Sequence, residues 1–361
     1  MPRLGPAFML AVTGERGPIE VAALDLAHED RETLELAGVH WALPVPGAPA
    51  PAVLLLGRRL AGLWLDRGEA RELSTLTDHL SVALENVELK RQAQLHVAID
   101  RELEEAHHVQ ARRLPRRTPV YPTLDCAAVT LSVESVGGDY YDFIEVGPRE
   151  FTLAVGDAAG HGVPAALVLA GVQSRFRAEA QRARHPGELL QALNRDLVAL
   201  AQPEKFVSLL CARVDVTAGL LRFANAGLTP PLVRRADGRF EEVLEGGMLL
   251  GVRDDAAYAV SAVELDAGDV ALVYSDGLTE ASRGGELFGL ERVREVLDRH
   301  AHRRAADLVE ELLQAARRWA DEPLDDLTIV VLRQLTQPRM RFRTPRQEAI
   351  KPETITADTE R

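Results

Sequence analysis

A chain of 361 residues with 46% hydrophobic and 27% charged content is long enough for two domains with real cores, plus appendages. Its formal net charge of -13 excludes a general nucleic-acid binder, because neutralising phosphates takes clustered Lys and Arg. No run of about eighteen uncharged apolar residues occurs, so no membrane span is expected; the two cysteines, Cys126 and Cys211, lie in apolar stretches and fit buried thiols of a reducing, cytoplasmic compartment.

In chain order, residues 7–65 carry short apolar runs (7–12, 19–24 and 53–56) broken by turns, with a Pro-Gly-rich connection at 43–51. That pattern predicts a small mixed domain over 1–68. Residues 69–114 then contain neither Pro nor Gly, and Leu73, Leu76, Leu80, Ala83 and Val87 keep three-four spacing. The seam blurs at 90–94 and resumes at Leu95, Ile99, Leu103 and Ala106, which predicts one long helix with a stutter. A narrow apolar stripe with charged flanks needs a partner, and a parallel coiled coil in a homodimer supplies one. Leu114-Pro115 closes this linker at 69–115, since Pro removes a donor and disfavours helix at the residue before it.

From about 118 to 333 the pattern turns to strands, at 127–133, 140–146, 151–155, 206–214, 220–224, 270–274 and 328–332. Helical stretches separate them at 164–182, 186–201, 290–300 and 305–320. Short turns such as Gly147-Pro148 imply antiparallel pairing. The helices come in pairs between groups of strands. The predicted class is therefore α+β, with two packed antiparallel sheets flanked by helix layers over 116–335, preceded by the small domain and the linker helix. The tail, 336–361, is polar and aperiodic and is expected to be disordered.

Four short acidic segments stand at the ends of these apolar runs: Val-Gly-Gly-Asp139, Gly-Asp157-Ala-Ala-Gly-His-Gly, Ser-Asp276-Gly and Asp325-Asp326-Leu-Thr. Carboxylates at strand tips are the usual holders of hard divalent cations. Each segment alone reads equally as a turn, since Gly and Asp are ordinary turn residues. Gly137 and Gly138 let the backbone turn tightly and approach an ion or another strand. Residues 151–164 form a strand, a compact loop and a proline suited to a first helical turn, a unit that builds sites. There Asp157 can offer its carboxylate and Ala158 its carbonyl, while His161 reads first as a loop stabiliser. Carboxylates about 4 Å apart repel by roughly 4 kcal/mol at an effective dielectric near 20, so a converged cluster needs cations or protons.

Taken in order, Val136-Gly-Gly-Asp-Tyr-Tyr-Asp-Phe143, the segment 156–166, Ala224-Asn-Ala-Gly227, Leu249-Leu-Gly-Val252, Tyr274-Ser-Asp-Gly-Leu-Thr-Glu-Ala281 and Asp325-Asp-Leu-Thr-Ile-Val-Val331 resemble the signature of SpoIIE/RsbU-type phosphatases, within the metal-dependent type 2C Ser/Thr protein phosphatase superfamily. The resemblance implies that Asp139, Asp157, Asp276 and Asp325 are the metal carboxylates for two Mn²⁺ or Mg²⁺ ions, with the Ala158 carbonyl as a further ligand. It ranks Asp326 below Asp325 and makes Asp142 an outer group holding waters. The reaction implied is hydrolysis of a phosphoserine or phosphothreonine ester by a metal-activated water. In relatives the substrate is commonly a phosphorylated STAS-type antagonist of an anti-sigma factor. One departure stands out: Leu228-Thr229 follow Gly227 where relatives carry His and Pro, which bears on substrate handling. Leu54-Leu-Leu-Gly57 and residues 73–86 resemble the last strands and closing helix of a GAF sensor domain, trimmed in length, with His40, Trp41 and Trp64 as candidate pocket residues. A catalytically idle sensor and dimerisation module predicts eroded acidic segments, and none is eroded. A cyclic-dinucleotide synthase shares only the Gly-Gly-Asp.

Overall fold

The computed structural model describes residues 9, 12–13, 18–21, 24, 26, 28–57, 67–132, 136–160, 162–200, 206–321 and 324–335. Trp64, His161 and the tail at 336–361 lie outside them. The chain divides into two compact units, Met1–Arg101 and Glu102–Arg361.

In the first unit, β1 (Ile19–Glu20), β2 (Val39–Pro44) and β3 (Val53–Gly57) form an antiparallel sheet in that order, with helix α1 (His28–Leu36) between β1 and β2 in sequence. Val12, Val21, Leu34 and Ala42 make its small core. No apolar period marks α1, because its nine residues are mostly charged and only Leu34 anchors it, with Leu36 left exposed.

Helix α2 (Arg67–Arg113) runs unbroken over 47 residues, taking in Gly68 as well as the Pro- and Gly-free stretch. Within one chain its buried residues are Thr77 and Ser81. Leu76, Val87, Leu95 and Ile99 are all exposed.

The second unit contains β4 (Leu124–Leu131), β5 (Asp139–Gly147), β6 (Glu150–Ala158), α3 (Gly162–Glu179), α4 (Pro186–Ala199), β7 (Val207–Asp215) and β8 (Leu220–Ala226). It continues through β9 (Leu232–Arg234), β10 (Phe240–Glu242), β11 (Ser261–Glu264), β12 (Val270–Tyr274), the one-turn α5 (Gly277–Glu280), and a hairpin of β13 (Ser282–Arg283) and β14 (Glu286–Leu287). Helices α6 (Gly289–His300) and α7 (Ala305–Trp319) precede the last strand, β15 (Leu327–Gln334). Two five-stranded sheets result, ordered β10-β9-β12-β15-β4 and β11-β8-β7-β6-β5. Every pairing in them is antiparallel, as the short connections predict.

Strand alternation assigns each side chain to a layer. On β12, Val270, Leu272 and Tyr274 meet α6 and α7, while Ala271 and Val273 face the other sheet. On β6, Phe151, Leu153 and Val155 face inward and Ala154 and Ala158 meet α3 and α4. The order of layers is helix, sheet, sheet, helix, the expected sandwich. With both faces covered, the strands read as nearly continuous apolar runs. Burying each Leu, Val or Phe contributes roughly 1.5–3 kcal/mol, so the three cores hold the unit together. Helix α4 starts cleanly because His185 accepts a hydrogen bond from the Glu188 amide (3.2 Å) and Pro186 occupies the first turn.

Candidate metal centre

Antiparallel order gathers the acidic segments at one end of the sandwich. Asp139 opens β5 and pairs directly with Asp157, near the end of β6. In the other sheet Tyr274 pairs with Ile329, so the residues just past β12 and just before β15, Asp276 and Asp325-Asp326, emerge together. Asp139 has the parity of Tyr141 and Asp157 that of Val155, which places both carboxylates on the inter-sheet side.

The glycines let the segments close on one another. A Cβ on Gly137 would lie 2.1 Å from Ser132 Oγ and 2.7 Å from Asp326 Oδ2, and one on Gly277 would lie 2.1 Å from the Asp326 carbonyl oxygen. The Gly138 amide donates to Asp326 Oδ2, and the Asp326 amide donates to Asp325 Oδ1 (2.8 Å). Asp326 thus braces the Gly137-Gly138 turn, while Asp325 stays exposed. The Ala158 carbonyl oxygen lies 3.0 Å from where a Gly138 Cβ would stand, so it too borders this turn.

Asp142 is placed differently from the expectation. Three residues from Asp139, it falls on the opposite face of β5 and pairs with Arg177 of α3 (2.6 Å) instead of bordering the carboxylates. Burial raises its pKa and the Arg177 hydrogen bond pulls it back.

The carboxylates are held in a strained electrostatic state. Burial holds Asp139 well above the usual carboxylate range, and repulsion from Asp157 and Asp326 adds to it, against the pull of Ser275 and Thr328. Asp157 is pushed up to about 7, first by burial and then by Asp276, Asp326 and Asp325. Among the described residues no three His, Cys, Asp or Glu side chains are closed around one point as a ready metal cage. The donor set still fits a hard divalent cation: it is all oxygen, it is anionic, and Asp139 Oδ1 is buried with no hydrogen-bond partner.

Beside the carboxylates lies a cavity of about 230 Å³, walled by Asp157, Phe206, Ser208, Leu228, Leu249 and Asp276. Asn225 fixes its rim by donating to the Leu228 carbonyl (2.9 Å) and accepting from the Leu228 amide (2.9 Å). Gly227, at φ 81°, carries the turn there.

Three features of the site carry little or no signal in the sequence. Ser275 donates to Asp139 Oδ2 (2.6 Å), although in the sequence it is only the first letter of a turn triplet. The Asp326 brace depends on register between sheets. Gln110, in the last turns of α2, donates to the Gly137 carbonyl (2.7 Å) and accepts from the Gly137 amide (3.2 Å).

The helix-sheet-sheet-helix sandwich is similar in fold to solved PP2C domains. The PP2C domain of SiaA from Pseudomonas aeruginosa matches it with a TM-score of 0.60 at 24% identity, over 67% of this chain and 99% of that one. The chain belongs to the SpoIIE family, whose model, described as Stage II sporulation protein E (SpoIIE), matches residues 147–335. A curated relative, phosphoserine phosphatase RsbU of Bacillus subtilis (strain 168), is 26% identical over 237 residues, 65% of this chain and 70% of that protein. The crystal structure of the RsbU and RsbW domains of a Mycobacterium tuberculosis protein matches with a TM-score of 0.54 at 26% identity. That match covers 63% of this chain and 64% of the other, so the chain spans less than two thirds of it. The expected family is therefore the right one. The family match begins after Asp139, and the β5–β6 pairing brings that residue to Asp157.

Proposed function

We propose that the chain is a metal-dependent protein phosphatase that hydrolyses phosphoserine or phosphothreonine on a regulatory protein, a STAS-type anti-sigma-factor antagonist. The observation that carries this reading is the convergence of Asp139, Asp157, Asp276 and Asp325-Asp326 on one end of the sandwich, with Asp139 and Asp157 driven toward protonation first by burial and then by their acidic neighbours. A cluster in that state is matched by two Mn²⁺ or Mg²⁺ ions, held by Asp139, Asp157, Asp276, Asp325 and the Ala158 carbonyl. Bound there, such ions supply an acidified water and offset charge on the phosphoryl oxygens. Asp157 faces the neighbouring cavity, whose Phe206, Leu228 and Leu249 walls exclude bulk water from an entering phosphoester. The RsbU name of the curated relative, and the joining of RsbU with RsbW domains in a solved one, support the choice of substrate class.

Control comes from the front of the chain. Residues 1–68 act as a short GAF-like sensor, and α2 delivers the signal by moving Gln110, which grips the glycine turn ahead of Asp139. An apolar cavity of about 260 Å³, with Val109, Gln110, Val163, Leu167 and Asp139 on its wall, gives the helix end room to reseat. Val87, Leu95 and Ile99, at 64%, 54% and 44% exposed, suit a second copy of the helix in a homodimer. The setting is the cytoplasm: both cysteines are buried thiols, with Cys211 pushed up to about 12 by burial, and no described helix is long and apolar enough to cross a membrane.

Mn²⁺-dependent hydrolysis of p-nitrophenyl phosphate tests the reading. Wild-type activity that vanishes in both Asp157→Asn and Asp276→Asn is expected. An inactive wild type, or full activity in both variants, rejects it. Equal rates for the full chain and a fragment beginning at Thr118 remove the control by the front half.

A further inference from the structure

The space between the two sheets is apolar along most of its length and ends in a buried polar knot. Thr130 on β4, Asp139 on β5, Ser275 just past β12 and Thr328 on β15 are 7%, 3%, 0% and 0% exposed. Hydroxyls and a carboxylate removed from water are costly unless partnered. Their partners are one another. The Ser275 amide donates to the Thr328 carbonyl (3.0 Å), and the Thr328 amide donates back to Ser275 Oγ (2.8 Å). The Ser275 hydroxyl donates to Asp139 Oδ2 (2.6 Å), and the Thr328 and Thr130 hydroxyls share a hydrogen bond of 2.8 Å.

Directionality follows from the donors. A backbone N–H can only donate, so Ser275 Oγ accepts from Thr328 and its single proton is aimed at Asp139. The two oxygens of Asp139 are thereby distinguished: Oδ2 is held from the opposite sheet, while Oδ1 is buried with no partner. The hydrogen bond also ties β5 of one sheet to the β12–β15 ladder of the other, beside the acidic loops.

We infer that Ser275, backed by Thr328 and Thr130, is a positioning residue that fixes the Asp139 carboxylate and presents Oδ1 alone to a divalent cation. The inference rests on the metal reading above. A merely structural knot would stabilise the fold without setting metal affinity, and the two roles separate experimentally.

The experiment is Mn²⁺ titration of the full chain by calorimetry, for wild type, Ser275→Ala, Thr328→Val and Thr328→Ser, with the melting of each metal-free protein recorded alongside. Ser275→Ala is expected to weaken Mn²⁺ binding about tenfold or more, as removal of groups that orient a ligand does. Thr328→Val, nearly the same shape, keeps the backbone donor to Ser275 but removes the hydroxyl that pulls on Asp139, so it should weaken binding in the same direction and by less, and Thr328→Ser, which keeps the hydroxyl, should restore wild-type affinity. Wild-type affinity in both Ser275→Ala and Thr328→Val overturns the inference, as does a Thr328→Ser variant as weak as Thr328→Val. Should Ser275→Ala not fold, Ser275→Cys, of nearly the same size but a weak donor, decides it, and wild-type affinity in that variant overturns the inference. A wild type that takes up no Mn²⁺ overturns the metal reading and the positioning role with it, whereas wild-type uptake with unchanged variants overturns the positioning role alone.

Discussion

The middle of the inter-sheet space and its acidic end are built on the same strands and have opposite energetics. In the middle, Phe151, Leu153, Leu210 and Phe223 are buried against one another and each adds to stability. At the end, β5 and β6 bury Asp139 and half-bury Asp157, and burial first, then repulsion from neighbouring carboxylates, raises the pKa of both: Asp157 and Asp326 act on Asp139, and Asp276, Asp326 and Asp325 act on Asp157. A single strand pair thus passes from groups that hold the fold to groups that strain it. What sets the two apart is function: a sandwich chosen for stability alone would continue the apolar layer to its rim.

The largest effect that sharpens this contrast is on activity. Asp157→Asn should lower Mn²⁺-dependent hydrolysis about a thousandfold or more, since several kcal/mol of charge stabilisation are lost at a factor of ten per about 1.4 kcal/mol. The same variant should melt no lower than wild type without metal, because it removes repulsion, not packing. Steady-state kinetics and thermal melts on one preparation check both halves.

Phe223→Ala, in the middle of the same space, should do the reverse. It is expected to cost about 3–5 kcal/mol in urea unfolding followed by circular dichroism. If instead it melted like wild type, the middle would not be the source of stability.

Arg177→Ala comes next. Asp142 is buried and Arg177 is partly exposed, so leaving the carboxylate without its guanidinium should cost about 1–3 kcal/mol after allowance for solvent screening. The loss should shrink as pH is lowered and Asp142 takes up a proton, because its pKa is already raised.

The smallest effect is the pH slope of the metal-free protein. Asp157 has its folded pKa raised from 3.8 to about 7, so the folded state holds this proton more tightly than the unfolded chain does. The stability that follows is complete below the ordinary value and is lost as pH rises through about 7. Melting temperature should therefore fall between about pH 5 and about pH 8, and Asp157→Asn should flatten the slope. A slope of the opposite sign, unchanged in the variant, would remove the repulsion argument.

Much of this architecture is legible in the amino-acid pattern alone. Strands covered on both faces read as apolar runs, which is why β4 to β8, β12 and β15 fall close to their expected places, and freedom from Pro and Gly marks α2. The short strands β9, β10 and β11 are not legible, because three or four residues such as Phe240–Glu242 carry no period. The acidic segments are readable as a set, but their geometry is not. That Asp139 pairs with Asp157, and that Asp326 reaches the Gly138 amide, depends on register and sheet packing. The face of Asp142 follows from parity alone, since an odd offset from Asp139 turns it to the helices. Ser275 carries no signal, because a serine beside Asp-Gly is an ordinary turn residue.

Mn²⁺ uptake by the full chain, measured by equilibrium titration at about pH 7.5 and about pH 5, tests the acidic cluster most directly. The expected result is two ions bound per chain at the higher pH, with protons released, and affinity at least about tenfold weaker at the lower. Absence of uptake at the higher pH, or affinity independent of pH and of Asp139 and Asp157, would contradict it.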